Sequence, residues 1–245
     1  MFLAHANPAG ADGFDLLKSA ISTTNSTGSA VAALSEGQVA DGLKAALSKG
    51  VEHAVTSLGS ANGFLTNLNV KISMPAKLQT VERVLRSAGQ GKLVDDFIAS
   101  MNHAAEQAMP AAASVFGDSI KLMNIDDAKS ILSGPQDAAT QFFRRTTQTN
   151  LYAKFLPLVK NATDKVGVTA HYKQMMGKFT SAGSLGGLFG GKSPVNLEAA
   201  DIDSYVTGKS LDGLFKMVAD EEKNIRANPM AQSSGLLQKV FSAVK

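Results

Sequence analysis

Residues 101–147 read MNHAAEQAMPAAASVFGDSIKLMNIDDAKSILSGPQDAATQFFRRTT, from Met101 to Thr147. The stretch holds three or four helix-length segments in succession, each with its own start or stop signal. Met101 and Ala105 continue an apolar line begun by Leu93 and Phe97, which predicts a helix from about Gly91 to Ala108. Pro110 suits the first turn of the next helix, where its missing N–H is not needed and its φ is already helical. That helix should end near Met123. Asn124 then offers a side-chain oxygen to cap Ile125–Ser133, and Gly134 stops it. Pro135 starts a long segment through Phe142, Phe143, Leu151 and Phe155 to Val166. Pro157 should kink or divide it. Acids and bases lie inside these apolar helices, where a charge is costly unless it is paired.

The same punctuation extends in both directions. Ser35 and Gln38 have the spacing of a capping box, followed by Val39, Leu43, Leu47, Val51, Val55 and Leu58 on one face and a stop at Gly59. Residues 70–74 are the one strand-like piece, and their end at Pro75 favours an extended connector. Pro75 opens a helix with Leu78, Val81, Leu85 and Ala88 on one face, closed by Gly89. Beyond the long segment, helices are expected over residues 169–180, 201–226 and 236–244, and a short one over 15–21. The sum is an all-α chain, an irregular bundle of about nine or ten helices without a significant sheet. A loose segment, residues 1–34, precedes a single helical domain, residues 35–245. Asp41-Gly42-Leu43 recurs as Asp212-Gly213-Leu214 inside two helices. Glycine there costs about 1 kcal/mol against alanine, so close helix–helix approach is the expected compensation.

At 245 residues, the chain can bury a sizeable core. With 44% hydrophobic and 18% charged residues it is globular rather than disordered. Twenty-four basic against 21 acidic residues leave a net charge of only +3. No dense Lys/Arg block with interleaved aromatics appears, so no nucleic-acid partner is expected. The absence of cysteine removes disulfides, thiolate metal sites and Cys nucleophiles. Ala4-His5-Ala6 has the small-x-small form of a signal-peptidase site, with Phe2-Leu3 as the end of an apolar region. The expectation is a truncated export signal, cleavage after Ala6 and a periplasmic address.

Several short motifs keep a recognisable order. They are Gly42-Leu43, Asn62-Gly63-Phe64, Lys71-Ile72 with Pro75, and Asn102 with Ala104-Ala105-Glu106. Asp127-Ala128, Ile131-Leu132, Gly134, Thr140, Phe143-Arg144 and Phe155 with Pro157 follow. Asp212-Gly213-Leu214-Phe215, Glu222, Ile225-Arg226 and Pro229 complete the set. In this order, over about residues 34–241, the chain resembles the domain of unknown function 4197 family. The resemblance implies a helical, exported protein of Gram-negative bacteria and supplies no activity. His103 stands where the family pattern has a base such as Arg, and Phe142 where Tyr is usual.

Residues 186–193, GGLFGGKS, match the P-loop expression. A P-loop joins a buried strand to a helix starting at its Lys, so that backbone N–H groups cradle phosphate. Here the preceding segment is helical and Pro194 follows, so the reading is a flexible Gly-rich loop. Its Leu185, Leu188 and Phe189 suit either a mobile flap that packs over a groove or touches a membrane, or a loop whose apolar groups rest on the body. His53, His103 and His171 lack metal-ligand spacing. His103 and Glu106, three apart on a helix, suit a local hydrogen bond better than a metal site. No cofactor is expected and no catalytic signature is present. Triads assembled in space are beyond what a sequence displays.

Glu106, Asp127, Arg144, Arg145, Asp212, Glu222 and Arg226 form the main ionic set, with Glu222 and Arg226 in the favourable i, i+4 order. Two readings stand for Arg144 beside Phe142 and Phe143. It belongs to an inter-helix salt-bridge network, with Glu106 or Glu222 as its acid, or it marks the polar end of a ligand cavity. Met and Phe residues at helical spacing suit a plain core or an adaptable apolar pocket. The expected function is a periplasmic carrier for a hydrophobic ligand such as a fatty acid, a phospholipid or a sterol- or hopanoid-like lipid. Met101, Phe142, Phe143, Arg144, Phe155, Met175, Leu188, Phe189 and Phe215 are the expected binding residues. The alternative is a non-catalytic interaction module of the cell envelope, meeting envelope proteins or a membrane surface. A hydrolase with a spatially assembled site is a third, weaker reading.

Overall fold

Ser35 begins the described structure as the sequence predicts. Its hydroxyl accepts from the Gln38 N–H, and the Gln38 side chain accepts from the Ser35 N–H in return. This box starts α1 (Glu36–Gly59). A computed structural model describes residues 35–182 and 199–227. The expected signal remnant and loose segment over 1–34 lie outside the described residues, as do Leu188, Phe189 and the expected helix over 236–244.

After α1 come α2 (Gln79–Ser87), α3 (Gly91–Ala108), α4 (Pro110–Leu122), α5 (Ile125–Ser133), α6 (Ala138–Lys165), α7 (Val168–Ala182) and α8 (Ala199–Ala227). These eight helices stand against the nine or ten expected. The difference corresponds to the segments over 15–21 and 236–244, both outside the described residues. Among the described residues there is no strand. Residues 71–75 form the extended connector, and a short 3-10 turn (Ala76–Leu78) leads from it into α2.

Local chemistry sets most boundaries. Asn124 and Asp127 form a second capping box at the start of α5. Pro110 occupies the first turn of α4. Gly89 takes φ +73° between α2 and α3, a conformation that costs glycine little. One expectation needs correction: Pro157 does not divide the long segment, and α6 runs through it. Proline deprives the Ala153 carbonyl of its helical donor, but both residues are exposed, so solvent is available to replace it.

α6 and α8 share the most extensive interface, and α3 packs across α6 and α7. α1 lies on α8 and α4. At its crossing with α8, a Cβ on Gly50 would stand 3.2 Å from Ile225 Cδ1, so glycine permits the close approach. Phe116, Phe143 and Phe215 meet edge to face in the middle, with centroids 5.0 Å and 6.0 Å apart. Among the described residues no helix is long and apolar enough to cross a membrane.

Candidate functional surface

The polar motif residues inside the bundle are engaged with its backbone. Asn102 is fully buried on α3. Its Nδ2 donates to the carbonyls of Ile72 and Ile98, and its Oδ1 accepts from the Ile72 N–H. One amide side chain thus fixes the connector as a neighbouring strand would. One turn later, the buried Glu106 carboxylate accepts from the N–H groups of Asn62, Phe64 and Leu65 at 3.2, 3.1 and 3.4 Å. Asn62 takes φ +63°, and a Cβ on Gly63 would collide with the Ser57 and Leu58 carbonyls. The turn therefore points successive N–H groups at one carboxylate. His103 Nδ1 lies 2.9 Å from the same carboxylate, the local bond expected from the spacing.

Glu222 does the equivalent work for α6. Asp137, at the N-cap, makes no capping bond with its side chain. Instead Glu222 reaches from α8 and accepts from the N–H groups of Ala139 and Thr140 and from the Thr140 hydroxyl, at 2.8–2.9 Å. Its negative charge sits where the helix dipole favours it. Arg226 donates to Glu222 at 2.8 Å and to the Ile131 carbonyl at 2.9 Å, joining the end of α5 to the start of α6. At the other end of the α6–α8 pair, the Thr163 hydroxyl donates to buried Asp203 at 2.7 Å.

These clasps correct the Arg144 expectation. Glu106 and Glu222 are engaged elsewhere, and among the described residues no acid forms an ion pair with Arg144. Arg144 is exposed and lies 4.5 Å above the centroid of the Phe215 ring. Its guanidinium stays in water while its face covers a buried aromatic, so no carboxylate is needed to offset desolvation.

The other expected binding residues within the described structure are in the core, while Leu188 and Phe189 lie outside it. Met101, Phe143, Phe155 and Met175 are fully buried, and Phe142 and Phe215 nearly so. They belong to one continuous apolar cluster that spans the bundle. The Asp212-Gly213-Leu214 repeat has a different explanation from the one expected. A Cβ on Gly213 would lie 2.8 Å from Phe64 and 3.2 Å from Val70, so α8 is approached there by the α1–α2 connection rather than by a helix.

Outside the core, a half-open cleft of about 250 Å³ lies where α5 meets α6. Asp127, Ser130 and Ile131 line one wall, and Pro135, Ala138, Gln141, Phe142 and Arg145 complete it. Arg145 lies 5.7 Å over the Phe142 ring, so a base and an apolar surface adjoin at the rim. Sequence reading did not single out this cleft. Its signal was the acid of one capping box followed, past Gly134-Pro135, by Phe142 and Arg145.

No curated protein and no solved structure matches the chain. A family model, described as protein of unknown function (DUF4197), matches residues 33–242. That span contains both buried carboxylate clasps, the Asn102 bridge and the α5–α6 cleft, and over it the chain belongs to the DUF4197 family.

Proposed function

We propose that this protein is a non-catalytic binding module of the cell envelope that works through its outer surface. The cleft at the start of α6 carries the reading. At about 250 Å³ it is smaller than the ~300–1,000 Å³ of a typical small-molecule pocket. It suits one or two side chains of a partner protein, with Ile131, Ala138 and Phe142 as apolar wall and Asp127 and Arg145 as charged rim. Glu106, Asn102 and Glu222 support the reading from inside, because their hydrogen-bonding capacity goes to holding the fold. The periplasmic address rests on Ala4-His5-Ala6 and on the family resemblance. The rival carrier reading would require Met101, Phe143, Phe155 and Met175 to part from one another to admit a fatty acid, phospholipid or sterol-like lipid.

A chain without cysteine allows a clean test. A photo-crosslinker placed by Gln141→Cys, inside the cleft, should give one discrete protein adduct in envelope extracts. The same probe at the distant exposed Ser87→Cys should not, and Arg145→Glu should abolish the adduct. Indiscriminate labelling at both positions, together with stoichiometric uptake of a labelled lipid, would reverse the choice in favour of the carrier.

A further inference from the structure

We infer that the outer face of α6 docks on an anionic membrane surface. The inference goes beyond the cleft reading above and names a second partner for the same helix. Its first basis is charge segregation. Residues 144–178 hold seven Lys and Arg and a single acid, Asp164, whereas the other described residues hold thirteen bases and seventeen acids. Among the described residues the excess of positive charge is therefore concentrated in this stretch.

The second basis is that this sector's charge is unspent. Elsewhere about half of the lysines and arginines are neutralised on the surface, as in Lys92–Asp96, Lys129–Glu36, Lys209–Asp212 and Lys216–Asp220. Arg144, Lys154, Lys160 and Lys165 are exposed, and among the described residues none forms an ion pair. Asp164 is the one acid of this stretch, and it forms no ion pair with Lys160 or Lys165 among the described residues.

The third basis is what stands between the lysines. Residues three or four apart lie along one face of a helix. One ridge of α6 runs Arg144, Gln148, Tyr152, Leu156, Lys160, and another runs Lys154, Leu158, Asn161, Lys165. Ala153 and Pro157 lie between them on the solvent side. Tyr152 and Leu158 are 38% and 39% exposed, among the few large apolar residues left uncovered. The result is a small apolar patch, Tyr152–Ala153–Pro157–Leu158, bordered by lysines.

That composition favours a bilayer over an acidic protein. Lysine is a point charge on a flexible stem, able to meet phosphates that move laterally, while planar bidentate recognition of fixed carboxylates favours arginine. Lysine stems lie along apolar surface with the ammonium at headgroup level, and tyrosine has the amphipathic shape of interfacial residues. The contact inferred for α6 itself is peripheral, since α6 is not long and apolar enough to cross a membrane. Electrostatic attraction should supply most of the affinity, with Leu158 and Tyr152 dipping between headgroups.

The test uses the full chain and vesicles of phosphatidylglycerol mixed with phosphatidylcholine, against phosphatidylcholine alone. Binding by co-sedimentation should require the anionic lipid and weaken as salt rises. At about fivefold per lysine, removing two should weaken it about 25-fold, and the charge-reversed pair Lys154→Glu/Lys165→Glu at least as much. The pair Lys92→Glu/Lys129→Glu makes the same change of net charge on other helices and should have a much smaller effect. All four positions are exposed to solvent or nearly so, and unchanged circular dichroism verifies folding. The chain lacks tryptophan, so Leu158→Trp supplies a single emission probe that should shift to the blue on anionic vesicles. Absence of binding at low salt would overturn the inference, and so would equal losses from the two charge-reversed pairs. Binding to soluble polyglutamate as tight as to vesicles, with no blue shift, would replace the membrane by an acidic protein. The crosslink from Gln141→Cys is read separately, so either reading can fail while the other stands.

Discussion

Glu106 shows how much one side chain can hold. Its carboxylate serves three N–H groups of a turn that has no other acceptor for them in the described structure. Glu106→Ala should cost about 3–5 kcal/mol, because it leaves buried donors unpaired. Glu106→Gln retains one acceptor oxygen and should cost less, and urea denaturation of both variants provides the check. Arg144→Ala should cost only about 0.5–1 kcal/mol, the value of an exposed cation over a ring. A loss of several kcal/mol in the same denaturation series would restore a buried ion pair. At this scale the sequence was half legible. The i, i+3 spacing of His103 and Glu106 announced their contact, but the turn that Glu106 serves lies 41–44 residues away in the chain. Arg144 misled because its neighbours Phe142 and Phe143 are buried, yet adjacent residues on a helix point about 100° apart.

Between elements, the two glycines of α8 provide opposite expectations. Gly213 faces Phe64 and Val70 at distances that leave no room for a methyl group. Gly213→Ala gains about 1 kcal/mol of helix propensity and loses about 1–3 kcal/mol to overpacking against a ring that is itself fully buried. The expected net is a destabilisation. Gly208 has nothing within 4 Å of the position its Cβ would take, so Gly208→Ala should stabilise by up to about 1 kcal/mol. Thermal unfolding should move the two variants in opposite directions, and a shared sign would refute the packing argument. Helix ends were the most legible part of the sequence, since Ser35 with Gln38 and Asn124 with Asp127 act within one turn. The start of α6 was not legible in the same way. Its cap comes from Glu222, a helix and 82 residues distant. Pro157 was expected to kink or divide α6, and the division did not follow because a sequence does not reveal that Ala153 and Pro157 lie on the exposed side of the helix.

At the scale of the whole molecule, the all-α architecture followed from apolar period and punctuation, and the described helices agree with it. The function was less legible, since Asn102, Glu106, Glu222 and Arg226 serve the fold, the cleft arises only when helices are assembled, and the run of bases over residues 144–178 does not itself display which of them share a solvent face. One long-range bond predicts a pH effect. The Tyr205 hydroxyl donates to the Ser73 carbonyl at 3.0 Å, tying α8 to the connector. Burial raises its pKa, partly opposed by nearby Lys209. The folded state therefore favours the protonated phenol. This contribution to stability should be complete below the ordinary tyrosine pKa of about 10 and lost as pH rises through the higher folded value. The wild-type minus Tyr205→Phe difference in ultraviolet phenolate titration should show a delayed step. An ordinary midpoint for that step would remove the effect.

The position of α8 in the chain also has a kinetic consequence. It brings Glu222 to the start of α6, Tyr205 to the connector and Glu221 to His53, over separations of 82, 132 and 168 residues. Every one of these closures waits until α8 has been synthesised. Until then α1, α3 and α6 expose the faces it will cover, so the nascent chain should remain protease-sensitive and then close late and cooperatively. A chaperone that shields apolar surface would find its substrate in that interval, and a stop codon placed before residue 199 would prolong the interval indefinitely.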